Sequence, residues 1–206
     1  MRTLAVRRLG LCEYLPTVAL QEGLVRQRRA GEVGDTLLLL EHEPVITVGR
    51  AGMASLPPGS GANAIPTVET SRGGQATYHG PGQLVMYPIL DLRQWRCDLH
   101  EYLRQLEAVV IRTLAGLHLQ GRRVDGYTGV WVGERKIASI GVAVRGWITY
   151  HGVALNVSND MTGFLAISPC GLPAETMTRV TDHGVTTTVA EVLPLAEQAF
   201  RETFGY

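Results

Sequence analysis

Two residues far apart in the chain are of types that could together do covalent chemistry. Cys170 lies in AISPCGL and Lys136 lies in GERKIASIG. The thiolate, not the thiol, is the nucleophile, and a neighbouring ammonium stabilises it by direct charge attraction. A cysteine that meets a lysine beside a glycine-rich, histidine-bearing stretch is a candidate acceptor of an acyl group. Pro169 and Gly171 flank Cys170 and put it on a turn. There the N–H groups of Cys170 and Gly171 are free to stabilise a tetrahedral oxyanion. A cysteine picked blindly is more often a buried structural thiol. Cys12 and Cys97 lack the turn setting and are read as structural. Lys136 follows a Gly-Glu turn, where a lysine is ordinarily solvated. However, Ile137, Ala138, Ile140 and Val142 make the segment apolar. A lysine at its mouth would be partly desolvated, which favours the neutral amine and suits it to carry a proton near neutral pH.

The second chemical stretch is RGGQATYHGPGQ, Arg72 to Gln83. Gly73, Gly74, Gly80 and Gly82 remove side chains where a backbone must turn or approach a ligand. Successive exposed N–H groups in such a stretch can cradle a carbonyl. Thr77, Tyr78 and His79 add hydroxyl and imidazole groups. A lone Gly-Gly pair would be only a turn before a strand. Four glycines with Arg, Tyr and His in one short stretch point to a binding loop instead. It is not a phosphate-binding loop, because no Gly-Lys-Ser/Thr stands at the required offset. His79 and His151 each remain open between general base, ligand-positioning group and satisfied core histidine. His42, before Glu43-Pro44, is read as a strand end. No HxH, HExxH or CxxC spacing supports a metal, and no cofactor is called for.

The elements that must position these groups can be read in outline. Residues 17–30 read as a helix stopping near Gly31. TLLLL (36–40) is a buried strand, and ITVGR after Pro44 is a candidate second one. Residues 51–66, rich in Gly, Pro and Ser, read as a loop. LVMYPIL (84–90) reads as a strand, with Pro88 at a sheet edge or near the strand end. Asp98 and Glu101 cap a helix over 99–118. GVWV, the Gly133-Glu134 turn and KIASIGVAV form a hairpin, and an Arg145-Gly146 turn leads to WITYHGVALNV. Thr188 and Glu191 frame a helix start, and Pro194 is read as opening a further helical segment that ends near Phe204. The expected class is α/β (α+β), a mixed sheet packed by helices, in a single domain over 1–206.

Composition narrows the function. The chain has 206 residues, 45% of them hydrophobic, enough for a sizeable core without staples. Its 19 basic and 19 acidic side chains cancel, which argues against broad nucleic-acid binding. No stretch reaches the length of a membrane span, and the N-terminal segment lacks a signal-peptide pattern. Three scattered cysteines fit a reducing, cytoplasmic setting.

Taken in order, LLLLEHEPVITVGR, RGGQATYHGPGQLVMYPILDL, GVWVGERKIASIGV, HGVALNV and SPCGL resemble the lipoyl(octanoyl) transferase family, over residues 37 to 172. The resemblance implies the fold of the biotin and lipoate protein ligase catalytic domain. It also implies octanoyl (or lipoyl) transfer from acyl carrier protein, through a cysteine thioester, to a lysine of a lipoyl domain. Cys170 matches the acyl-thioester cysteine and Lys136 the lysine that activates it. Arg72, Gly73, Gly74, Gln75, Ala76, Thr77, Tyr78 and His79 match the substrate loop. Ser139, Ile140 and Gly141, then Gly152, Val153 and Ala154, match two further acyl-contacting stretches, with the tail expected along Ala76, Ile140, Val153 and Ala154. Implied partners are octanoyl-acyl carrier protein as donor and apo lipoyl domains of 2-oxoacid dehydrogenases and glycine cleavage H protein as acceptors, served by a monomer. Such partners are typically acidic, so Arg50, Arg72, Arg122, Arg123 and Arg179 are candidate steering charges. Competing readings are an ATP-dependent lipoate or biotin ligase, a cysteine hydrolase or amidase using His79 or His151, and a silent lipoyl-domain binder.

Overall fold

The run TLLLL lacks polar alternation because both faces of its strand are covered. Leu37 and Leu39 pack into one hydrophobic cluster, and Leu38 and Leu40 into another. Side chains alternate across a strand, so such a run belongs at the middle of a layered structure. A computed structural model of the chain describes residues 3–52, 65–167, 173 and 176–206. The first half supplies β1 (Leu4–Cys12), α1 (Tyr14–Ala30), β2 (Asp35–His42), β3 (Val45–Val48), β4 (Thr67–Glu69), β5 (Ala76–His79) and β6 (Gln83–Ile89). The second half supplies α2 (Leu99–Gly116), β7 (Gly121–Arg122), β8 (Val130–Val132), β9 (Arg135–Arg145), β10 (Ile148–Asn156) and α3 (Val189–Phe204).

A seven-stranded sheet runs β1-β2-β6-β10-β9-β8-β7, and a three-stranded sheet runs β4-β3-β5. β1 and β2 are parallel, and the other pairs of the large sheet are antiparallel. α2 and α3 cover one face through Tyr102, Leu106, Val109, Val192 and Phe200. α1 covers the other through Leu24 and Val25. The mixed sheet packed by helices is thus as expected. Among the described residues no helix is long and apolar enough to cross a membrane.

Local signals set most boundaries. Gly31 ends α1 in the left-handed region, and the Asp98 carboxylate accepts the Glu101 N–H at 3.0 Å to cap α2. Pro88 is the penultimate residue of β6, near the strand end as expected, although β6 lies inside the sheet. α3 departs from expectation. The Thr188/Glu191 capping box starts a single helix that runs through Pro194 instead of restarting there. Pro194 lies only one turn beyond the first, so one backbone bond is forgone while the apolar face of the helix stays packed. β1 was not anticipated. It is an edge strand, largely exposed, so its sequence shows no apolar period.

One buried ionic network locks the periphery. Arg28 of α1 meets Asp35 of β2 at 2.8 Å, the Asp91 N–H donates to Asp35, and the Tyr206 hydroxyl donates to Asp35 at 2.8 Å. Hydrogen bonds on every side make such a buried carboxylate tolerable.

Candidate active site

The glycine-rich stretch is less of a loop than its composition implies. Arg72–Gln75 bends across the large sheet, where the Gly73 N–H donates to the Val142 carbonyl at 2.9 Å. Ala76–His79 is strand β5, paired with β3. Alternation therefore splits this segment. Thr77 and His79 face a chamber between the two sheets. Ala76 and Tyr78 point the other way, into a cluster with Ile46, Phe164, Ile167 and Met177. Of the residues expected along the acyl tail, Ala76 is accordingly in that cluster rather than on the chamber wall.

The chamber brings together the other predicted stretches. Arg72, Gly74, Gln75, Thr77 and His79 line it with Ser139, Ile140 and Gly141 of β9 and Gly152, Val153 and Ala154 of β10. β9 and β10 pair Gly141 with Gly152, Ile140 with Val153 and Ser139 with Ala154, which is why two sequence-distant triplets share one wall. A Cβ on Gly152 would run into the Met86 carbonyl and the Pro88 ring, so the close β10–β6 approach requires glycine.

Arg72 is a wall residue, not a surface charge. It is 8% exposed, and its guanidinium donates to the Thr47 carbonyl at 2.7 Å and the Thr47 hydroxyl at 2.9 Å. It is therefore unsuited to steering a partner. Arg122 and Arg123 pair with Glu134 and Glu107, and Arg179 with Asp182.

Sequence reasoning missed most of the ring cluster at the inner end of the chamber. Tyr14, His42, His79, Tyr87 and His151 form a chain of ring contacts, mostly T-shaped with Tyr14 stacked on His79, and neighbouring centroids lie 5.2–6.2 Å apart. The His42 Nδ1–H donates to the Cys12 carbonyl at 3.0 Å, so its Nε2 accepts the Tyr87 hydroxyl at 2.9 Å. Gln83 gives its amide N–H groups to Asn156 and Tyr78, so its oxygen accepts from His79 Nδ1 at 2.7 Å. Burial lowers His42 to about 4 and His151 to about 4, and pushes His79 well below the usual range. For His151, the Arg72 and Arg50 charges add to the effect of burial. All three are neutral imidazoles near neutral pH. His42 does end a strand, as read, but its signal as a member of the ring cluster lay only in contacts across the fold.

Gly74, Gln75, Ile140 and Gly141 also line a second hollow, a groove of about 410 Å³ bordered by Gly73, Leu103, Tyr127 and Lys136. The chamber and the groove therefore adjoin, with these four residues bordering both. Lys136 is 1% exposed rather than solvated, with Nζ 5.1 Å from the Trp131 ring centroid. Two local features turn it inward. The β8–β9 ladder slips between Val130 and Trp131, a bulge that re-aims the side chain. Gly129 lies against its stem, where a Cβ would come within 2.7 Å of Lys136 Cε. Gly129 is held in turn by the Glu107 carboxylate, which accepts its N–H at 3.2 Å. Neither Gly129 nor Glu107 was picked out in the sequence, because their roles depend on α2 reaching this strand.

Cys170, with its neighbours Pro169 and Gly171, lies outside the described residues. Ile167 before it and Met177 after it both pack in the cluster with Ala76 and Tyr78. The Thr178 N–H donates to the Lys136 carbonyl at 2.9 Å. Among the described residues no group of three or more His, Cys, Asp or Glu could hold a metal.

The family model for the lipoyl protein ligase A/B catalytic domain matches residues 13–201. The chain belongs to this family. Its relatives within the family include the octanoyltransferase of Solibacter usitatus, 45% identical over 100% of this chain and 95% of that one. The octanoyltransferase of Rubrobacter xylanophilus is 48% identical over 98% of this chain and 94% of its own. The fold is shared more widely. A bipartite lipoate protein ligase from Thermoplasma acidophilum superposes with a TM-score of 0.74 at 20% identity, covering 98% of this chain and 85% of that one. A biotin protein ligase from Aquifex aeolicus superposes with a TM-score of 0.59 at 15% identity, covering 98% of this chain and 70% of that one.

Proposed function

We propose that this chain is an octanoyltransferase that moves the acyl group from acyl carrier protein, through a thioester on Cys170, to the lysine amine of an apo lipoyl domain. The observation that carries the reading is the adjacency of chamber and groove. A lining of small and apolar groups from β9 and β10 suits a short acyl tail, and Lys136 borders the adjoining groove. The octanoyltransferase relatives, matched over nearly the full chain, support the same reaction class.

The proposed chemistry balances without ATP. The Cys170 thiolate, stabilised by the Lys136 ammonium, attacks the thioester carbonyl of the donor. The new C–S bond forms as the bond to the pantetheine sulfur breaks, and that sulfur takes the proton from Lys136. The acceptor amine then attacks octanoyl-Cys170, its nitrogen passes a proton to neutral Lys136, and the Cys170 thiolate leaves. The cysteine and lysine return to their starting charges. Backbone N–H groups of Cys170, of Gly171 and of the glycine-bearing bend, apart from Gly73 which is bonded to Val142, are assigned to the oxyanion. The acceptors proposed are the lipoyl domains of 2-oxoacid dehydrogenases and of glycine cleavage H protein, with Arg50 and other exposed arginines speeding encounter.

Intact-protein mass after incubation with octanoyl-acyl carrier protein, without ATP, tests this. An octanoyl adduct is expected on the natural chain and not on Cys170→Ala, and an apo lipoyl domain should discharge it. Modification of the lipoyl domain only with ATP and free acid would make the chain a ligase. Release of free octanoate without an acceptor would make it a hydrolase.

A further inference from the structure

Next to the chamber lies a further cleft of about 190 Å³, lined by Leu15, Pro44, Val45, Pro66 and Val68, with Glu13 and Glu43 also bordering it. Among the described residues, Tyr14 is the one that borders both it and the chamber. Gly74, Gln75, Ile140 and Gly141 border both the Lys136 groove and the chamber, and the Tyr14 ring stands between the chamber and the cleft.

We infer that Tyr14 is the partition that sets the acyl-chain length this protein accepts. The inference rests on the transferase reading. The ring is well held for such a role. It is 5% exposed, lies 5.2 Å from the His42 ring and 6.1 Å from the His79 ring, and its hydroxyl donates to the Thr70 hydroxyl at 3.0 Å. A wall fixed on three sides cannot yield to a longer chain without breaking those contacts. The far cleft is predominantly apolar, so a chain admitted past Tyr14 would gain by leaving water. Each methylene that finds apolar room is worth a factor of about four in binding, or about 0.8 kcal/mol.

The experiment compares acyl-enzyme formation from octanoyl- and dodecanoyl-acyl carrier protein by intact mass, for the natural chain, Tyr14→Ala and Tyr14→Phe. The natural chain should prefer octanoyl. Tyr14→Ala should raise the dodecanoyl-to-octanoyl rate ratio at least tenfold, the gain of about two further buried methylenes. Tyr14→Phe keeps the ring and should keep the natural ratio. Should Tyr14→Ala fail to fold, Tyr14→Leu, with a smaller opening and an apolar plug, is read in the same way. An unchanged ratio in a folded, acylating Ala or Leu variant overturns the partition and leaves the transferase reading intact. A Phe variant that shifts as far as Ala overturns it too, because the hydroxyl tether would then set the limit. No adduct on the natural chain with either donor removes the transferase reading and the partition with it.

Discussion

At the scale of single residues, the site turns on how a lysine comes to be buried. Lys136 follows a two-residue turn, a place where water ordinarily claims the ammonium, yet it is 1% exposed. The ladder bulge and the absent side chain of Gly129 together make the room, and the Trp131 ring face offsets part of the lost hydration. Lys136→Met keeps the stem and removes the charge and the proton. It should leave the fold in place and slow both acyl-enzyme formation and its discharge by about 10²–10⁴-fold, the usual worth of a positioned acid–base group. Single-turnover kinetics of the two steps check this. A variant slowed in only one step would remove Lys136 from the other. Gly129→Ala attacks the same geometry from the neighbouring strand. Its Cβ would meet the Ala138 carbonyl and come within 2.7 Å of Lys136 Cε, on a backbone with φ 135. A loss of about 1–3 kcal/mol in urea unfolding is expected, with slowed acylation. Full acylation in a destabilised variant would show that the lysine finds its place without help from Gly129.

At the scale of elements, the contrast between what the sequence disclosed and what it hid has a physical cause. α2 and the capping box of α3 were legible because caps and helical spacing are local. The TLLLL strand was legible because burial on both faces leaves an unbroken apolar run. β1 and β5 were not. β1 lies on an exposed edge, and β5 lies inside a segment whose glycines announce a loop. The site was legible to the extent that it is built from short contiguous stretches, since the β9 and β10 triplets and Arg72–His79 were each visible as motifs. Tyr14, His42, Tyr87 and Glu107 were not, because each joins the site from a separate element. Glu107 shows what such a residue does. It is 1% exposed on α2, accepts from Arg104 and Arg123, both at 2.8 Å, and holds the Gly129 N–H. Glu107→Ala strands that N–H and should cost about 1–3 kcal/mol, while Glu107→Gln restores an acceptor and recovers part of it. Chemical unfolding of both variants, with acylation rates alongside, separates a helix-to-strand clamp from a surface ion pair. Equal stabilities for Ala and Gln would mean that the Gly129 bond contributes nothing.

At the scale of the whole molecule, the seam between the two sheets carries the pH sensitivity. Tyr14 comes from α1, His79 from the small sheet, and His42, Tyr87 and His151 from the large one, so the ring cluster is where the two sheets meet. Burial lowers His42 and His151 to about 4, while the unfolded chain titrates near 6.5. The sign follows. Between those values the unfolded state binds protons that the folded state refuses, so this stability is fully present above about pH 6.5 and is lost as pH falls through 4. Each of the two is worth on the order of 3 kcal/mol, and His79 acts in the same direction. Carboxylates add a separate, more acidic step. Hydrogen bonds from Arg93 and Arg8 hold Asp91 and Glu197 below their usual range, so their contribution is present above the unfolded carboxylate value and fades below it. Unfolding free energy measured from pH 8 downward should therefore be flat at first and then fall below about pH 6.5, with the carboxylate contribution joining near pH 4.5. His42→Gln should lower stability near neutrality and reduce the slope between pH 6.5 and 4.5 by about 1 kcal/mol per pH unit, a little under the worth of one full proton. A slope unchanged by this substitution would place the acid sensitivity outside the seam. Because Tyr14, His79, Tyr87 and His151 of this cluster line the chamber, acid that opens the seam should also abolish acyl-enzyme formation over the same pH interval.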